Sequence, residues 1–259
     1  MQTRAILDMK WCLTHPWLGI VTASGEIIIY ELENEKLKLL VSKTLESKPV
    51  ILSLEWFDVK LVISDSSGSV HILQIEESNN LLETKTTSKQ HEFEAWICTF
   101  DTFDSNIVYS GGDDCKMKIF DLRIAQGRVL GKSSHDAGVT SLLSDKYDQY
   151  RFFSGSYDEH LRTWDKRNWR EPVETFHAEG GVWRIKQPKS LHKGQNDILG
   201  LACMHNGFQI LKGQERVVSY AEHDSLAYGL DFKKSDNCLQ LATCSFYDCL
   251  LKVWQVVDS

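Results

Sequence analysis

The sequence predicts an all-β chain built as a propeller of small antiparallel sheets. Three observations carry this. A strand-turn-strand unit recurs at a nearly fixed spacing, each copy opens on its own apolar strand, and no stretch sustains a 3.6-residue apolar period for ten residues. The clearest copy is Ser154-Gly155-Ser156-Tyr157-Asp158-Glu159-His160-Leu161-Arg162-Thr163-Trp164-Asp165. Leu161 and Thr163 alternate with Arg162, which is the period of a strand with one covered face. Asp158 falls at the turn, where a short carboxylate can bond nearby backbone N–H groups.

The position of Trp164 recurs at Tyr30, Leu73, Phe120, Leu211 and Trp254, so that successive copies lie 43, 47, 44, 47 and 43 residues apart. A period in the forties closed by an aromatic-acidic pair is the pattern of WD-type repeats. Six residues upstream lies a turn position, held in order by Ser24, Ser67, Asp114, Asp158, His205 and Asp248. The opening strands are expected at Ala5–Trp11, Val50–Trp56, Ala95–Phe100, Val139–Leu143, Val182–Lys186 and Ala227–Phe232. His91, His135, His177 and His223 stand shortly before four of them, and they read as structural groups bonding within a blade, as do the turn aspartates.

The expected architecture is therefore one domain, residues 1–259, with six recognisable blades. The polar stretches Glu76–Gln90 and Lys186–Lys193 read as surface connections. The first apolar strand starts at Ala5, and only Gln255–Ser259 follow Trp254. The expectation is a chain lacking the N-terminal blade and the closing strand of a seven-blade ring.

Composition narrows the function. The net charge of −7 argues against non-specific nucleic acid binding. No apolar run approaches the ~20 residues of a membrane-spanning helix, and Asp8 and Lys10 interrupt any signal-peptide core. The seven cysteines are odd in number and form no CxxC pair, which favours free thiols in a reducing cytosol or nucleus over disulfides or a metal site. Gly127-Arg128-Val129-Leu130-Gly131-Lys132-Ser133 looks like a phosphate-binding loop but is one residue short between its glycines and precedes no helix. Neither a G-x-S-x-G elbow nor an H-E-x-x-H helix is present.

Five stretches are more specific than the repeat. They are Phe93–Ile97, Ser154–His160, Gly180-Gly181-Val182-Trp183-Arg184-Ile185-Lys186, Ala202-Cys203-Met204-His205-Asn206-Gly207-Phe208 and Cys244-Ser245-Phe246-Tyr247-Asp248. Taken in this order they resemble the WD-repeat enzymes of diphthamide biosynthesis, a family named for diphthine methyltransferase and understood as a diphthine methyl ester esterase. The resemblance runs from about Ala5 to Trp254 and departs at the N-terminus, where members carry a further blade. It implies translation elongation factor 2 as protein substrate, release of methanol from a methyl ester on its modified histidine, and no cofactor. A cytoplasmic monomer without nucleic acid or membrane partners is the matching expectation. A non-catalytic scaffold recruiting a protein partner is the competing one.

Ester hydrolysis needs a nucleophile, a base and donors for the developing oxyanion. His205 is the candidate base, because it occupies a turn position where three other repeats have Asp; it could equally serve as a substitute hydrogen-bonding group there. Cys203 and Ser156 are candidate nucleophiles, against the rival readings of a buried inert thiol and a turn residue. Glu159 and His160 follow the turn of the fourth blade as further catalytic candidates or as a solvated polar face. Water activated directly by His205 is a third route. Trp96, Tyr157, Trp183, Arg184 and Tyr247 are the candidate binding residues, with core packing competing for the two tryptophans. Arg184 has the planar fork that pairs with a carboxylate.

Overall fold

The computed structural model describes residues 5–76, 81–124, 129–188, 197–235, 238–245 and 247–257. Its described residues contain strands and turns and no helix. The chain divides into two compact units, Met1–Ser134 and His135–Ser259.

The first unit holds three antiparallel sheets, each a meander of consecutive strands. They are β1 (Ile6–Trp11), β2 (Trp17–Thr22), β3 (Glu26–Glu33) and β4 (Lys36–Thr44); β5 (Ile51–Phe57), β6 (Lys60–Asp65), β7 (Ser69–Glu76) and β8 (Leu81–Lys89); and β9 (Ile97–Phe100), β10 (Ile107–Gly111), β11 (Lys116–Asp121) and β12 (Val129–Ser134). Ile27, Ile29, Ile51, Leu54 and Leu61 form one core of this unit, and Val62, Ile72, Cys98, Phe100 and Phe120 another.

The second unit repeats the plan. Its sheets are β13 (Val139–Ser144), β14 (Arg151–Ser156), β15 (His160–Asp165) and β16 (Glu174–His177); β17 (Arg184–Lys186), β18 (Ile198–Ala202), β19 (Phe208–Lys212) and β20 (Glu215–Tyr220); and the three-stranded β21 (Ala227–Ser235), β22 (Cys238–Ser245) and β23 (Leu251–Val257). Phe153, Leu161, Val182, Leu201 and Leu211 pack between its first two sheets, and Phe208, Ile210, Leu230 and Leu241 between its last two. Each buried Leu, Ile or Phe contributes about 1.5–3 kcal/mol, so these seams hold the blades together. Leu251 and Val253 of β23 remain 70% and 67% exposed.

Tyr30, Leu73, Phe120, Trp164, Leu211 and Trp254 all fall in the third strand of a sheet, and the six turn positions all lie between second and third strands. Two expectations change. Glu76–Gln90 is not a connection: Leu81–Lys89 is β8, paired with β7 along its length. Its side chains are mostly exposed, so no period-two apolar signal marks it; only its backbone is committed. Within the loop-like Gly127–Ser133 run, Gly127 and Arg128 lie outside the described residues, while Val129–Ser134 is β12, laddered to β11. Backbone N–H groups spent on a ladder cannot cradle a phosphate. Of the stretch Lys186–Lys193, residues 189–193 lie outside the described residues.

Buried polar groups explain the histidines. His91 Nδ1–H donates to Asp114 (2.8 Å), and its Nε2 accepts from the Ser110 hydroxyl (2.8 Å). His223 makes the same pair with Asp248 (3.2 Å) and Thr243 (3.1 Å), and Trp254 Nε1–H adds a bond to the Thr243 hydroxyl (3.1 Å). In the fourth sheet Trp164 Nε1–H donates to Ser154 (2.8 Å), whose hydroxyl bonds His135 Nε2 (2.9 Å), while Asp158 pairs with Arg162 (2.8 Å). His91, His135 and His223 are thus structural. His177 is not part of such a set.

These histidines make the fold acid-sensitive. Burial, helped by the nearby Arg162 charge, pushes His135 down to about 4, and burial also lowers His91. Both folded-state values lie below the unfolded imidazole's ~6.5, so the unfolded chain binds more protons as pH falls. Stability is complete above that value and declines on acidification, by up to about 3 kcal/mol from His135 once the pH passes its folded value. The carboxylates Asp65, Asp114 and Asp158 are held below their usual range and release their contribution only at still lower pH. Urea midpoints should therefore drop between pH 7 and pH 4.5; equal midpoints would contradict the buried neutral imidazoles.

Candidate functional site

The fifth sheet breaks the pattern of its neighbours. Pairing register aligns Gly155↔Leu161 with Ala202↔Phe208 and Ser154↔Arg162 with Leu201↔Gln209. Leu201 therefore stands where Ser154 bonds His135, Leu211 where Trp164 stands, and His205 where Asp158 stands. With apolar Leu201 and Leu211 buried, no polar set is left for His205 to complete. The place of the ordered histidine is filled differently: Gln209 Nε2–H donates to Ala178 O (2.7 Å) and Asn206 Nδ2–H to the same oxygen (2.9 Å).

The turn itself is also rebuilt. In the other five sheets the residue directly after the turn position has positive φ: Gly25, Gly68, Cys115, Glu159 and Cys249. In the fifth sheet positive φ moves to Met204 (45°) and Gly207 (67°), on either side of the His205-Asn206 pair. A Cβ at Gly207 would meet Tyr220 O at 2.4 Å, and one at Gly180 would meet Cys203 O at 2.3 Å. Gly180 is thus required by the close approach of this turn's backbone. Glu179 holds the turn from outside, accepting from Arg216 (2.7 Å) and from Asn206 (3.3 Å).

The result is an exposed imidazole: among the described residues nothing hydrogen-bonds the His205 ring. It lines a cavity of about 420 Å³ with His223, Asp224, Ser225, Leu226 and Tyr247. Ala227 N–H donates to Met204 O (2.9 Å), which ties the segment before β21 to the His205 turn.

An aromatic cluster is built from the three sheets of the second unit. The Trp183 ring lies 5.9 Å from Tyr157 and 5.0 Å from Tyr228, the latter edge-on at 76°. The Arg184 guanidinium stands 5.8 Å from the Trp183 ring centre. Burial, with Tyr247 as the second cause, raises the Tyr228 phenol. Tyr157, Trp183, Arg184 and Tyr247 therefore belong to one neighbourhood of the second unit. Trp96 belongs to the first unit, where its Nε1–H donates to Asp113 (3.0 Å).

The remaining catalytic candidates are placed elsewhere. Cys203 is fully buried, and burial pushes its thiol up to about 12, so it stays protonated and packs in the core. Ser156 is also buried; its hydroxyl donates to Ala137 O (3.1 Å) and accepts from Asp158 N–H (3.1 Å). Both are therefore corrected from nucleophile to structure. Glu159 accepts from His177 (3.2 Å) and His160 donates to Asp158 O (2.6 Å), with the two imidazoles 5.1 Å apart. This cluster does not line the His205 cavity. Asp224, Ser225 and Tyr228 were absent from the sequence-level candidates. The signal that could have found them is positional: they flank Ala227, the residue paired with the turn that departs from the repeat.

Comparison with known proteins agrees with this description. The family model for the WD domain, G-beta repeat, matches residues 127–165. A chain from the crystal structure of the mitotic checkpoint complex matches with a TM-score of 0.82 at 18% identity, over 100% of this chain and 76% of that one, a likeness of fold alone. A Dictyostelium discoideum protein named diphthine methyltransferase homolog is 34% identical over 96% of this chain and 76% of its own. The Schizosaccharomyces pombe diphthine methyltransferase is 32% identical over 98% and 80%. The chain belongs to the diphthine methyltransferase family. The human member is 37% identical over 89% of this chain, which spans 56% of the human protein's length. Gly180–Lys186 and Ala202–Phe208, two of the stretches singled out in the sequence, form the frame of His205.

Proposed function

We propose that this propeller acts in diphthamide biosynthesis, hydrolysing the methyl ester of diphthine methyl ester on translation elongation factor 2 to give diphthine and methanol. The observation that carries the reading is the freed His205 imidazole in a cavity, on the one turn that departs from the repeat, in a chain of this family. His205 takes the proton of the attacking group and returns it to the leaving methoxide. Trp183, Tyr157 and Tyr228 offer an aromatic platform for the substrate segment, and Arg184 the fork that receives the product carboxylate. The reaction takes place in the cytoplasm with the enzyme as a monomer and no cofactor.

The test is mass spectrometry of elongation factor 2 from cells lacking this protein. Accumulated methyl ester, cleared by adding the purified protein, is the expected result. Unchanged modification, or arrest at an earlier step, would remove the role and leave the scaffold reading.

A further inference from the structure

We infer that Ser225 is the nucleophile of this site and that hydrolysis passes through an acyl-enzyme on its hydroxyl. The inference rests on the esterase reading above and adds a covalent step to it. Of the described residues lining the cavity, His223 has both ring nitrogens spent on Asp248 and Thr243, and Leu226 is apolar. His205, Asp224 and Ser225 supply an imidazole, a carboxylate and a hydroxyl. A hydroxyl, an imidazole and a carboxylate in one cavity are the parts of an activated-serine site, which is recognised by role and geometry rather than by sequence order.

The segment that carries Ser225 is pinned on both sides. His223 and the Asp224 N–H are bonded to Asp248, the latter at 3.2 Å, and Ala227 N–H is bonded to Met204 O at 2.9 Å. Ser225 is thereby held two residues from Ala227, and His205 one residue from Met204, across a single backbone bond. Among the described residues neither the Ser225 hydroxyl nor the Asp224 carboxylate is hydrogen-bonded to protein, which leaves both to the cavity. Ser156 is the contrast: its hydroxyl is used twice and buried. Among the described residues Ser225 and His205 are not hydrogen-bonded to each other, and such contacts commonly tighten only with substrate in place.

The chemistry balances without any co-reactant beyond water. Ser225 Oγ attacks the ester carbonyl carbon as His205 takes the hydroxyl proton. The tetrahedral oxyanion collapses, the bond to the methoxy oxygen breaks, and protonated His205 supplies the proton that releases methanol. Water then gives a proton to His205 and attacks the acyl-serine. The Ser225–acyl bond breaks, and the proton returns to Oγ. Asp224, which lines the same cavity, steadies the imidazolium.

The full chain would be assayed on methyl-esterified elongation factor 2 taken from cells lacking this protein, and separately treated with a fluorophosphonate, which labels activated serines without needing the factor. Expected are loss of turnover by about a hundredfold or more in Ser225→Ala, a fluorophosphonate adduct on the Ser225 peptide, and loss of that adduct in His205→Ala. Thermal unfolding of each variant guards against misfolding. Turnover by the parent with equal turnover in Ser225→Ala and no adduct would overturn the acyl-enzyme and leave the esterase, with water activated directly. An adduct on Ser225 without turnover of the factor would keep the nucleophile and overturn the substrate.

Discussion

His205→Ala is expected to lower methyl ester hydrolysis by roughly 10²–10⁴-fold, the range for a lost acid–base group. The same change should move stability by less than about 0.5 kcal/mol, as at other exposed positions free of special contacts. Both halves follow from the fifth turn. His205 is exposed and, among the described residues, unbonded, so folding does not depend on it. The contrast is internal, because His91 and His223 each bridge a buried carboxylate and a hydroxyl, and truncating them takes a buried hydrogen bond from both partners. Turnover and thermal midpoint measured for His205→Ala and His223→Ala separate the two roles. A folded His205→Ala protein with normal turnover would rule out the base.

Much of the fold is legible because blades announce themselves twice. Third strands such as Lys116–Asp121 and His160–Asp165 alternate, and their turns carry Asp114 and Asp158, whose carboxylates bond the backbone two residues on. Fourth strands such as β8 are silent, since exposed side chains on a paired backbone leave no apolar period. The site divides similarly. His205 is visible as a departure from a repeat. Its freedom is not, because that depends on Leu201 and Leu211 replacing a polar set three strands deep, which only register reveals. Ser225 is invisible for a different reason. It lies in a connection, and the single pairing of Met204 with Ala227 brings it beside the turn. Cys203 and Ser156 drew attention by nearness to histidines in sequence, yet register places both at the same core-facing start of a turn, where burial decides their fate.

Trp164→Ala should cost about 3–5 kcal/mol, the range for removing a buried aromatic. The ring is 2% exposed and lies 5.9 Å from His135 and 6.2 Å from Trp169. Its Nε1–H also donates to Ser154 at 2.8 Å, so truncation both opens a void and weakens the polar set that holds the His135 ring. Trp164→Phe keeps most of the packing and loses that bond, and should cost about 1–3 kcal/mol. Trp164 does not line the cavity. Each variant should accordingly keep the parent's turnover per folded molecule at a temperature well below its midpoint, with the loss confined to urea and thermal unfolding. A Trp164→Ala protein of near-parental stability would mean that the repeat's closing aromatic is not what holds the fourth sheet. A stable Trp164→Phe protein with selectively lost turnover would mean that the Trp164–Ser154–His135 set is coupled to the His205 site.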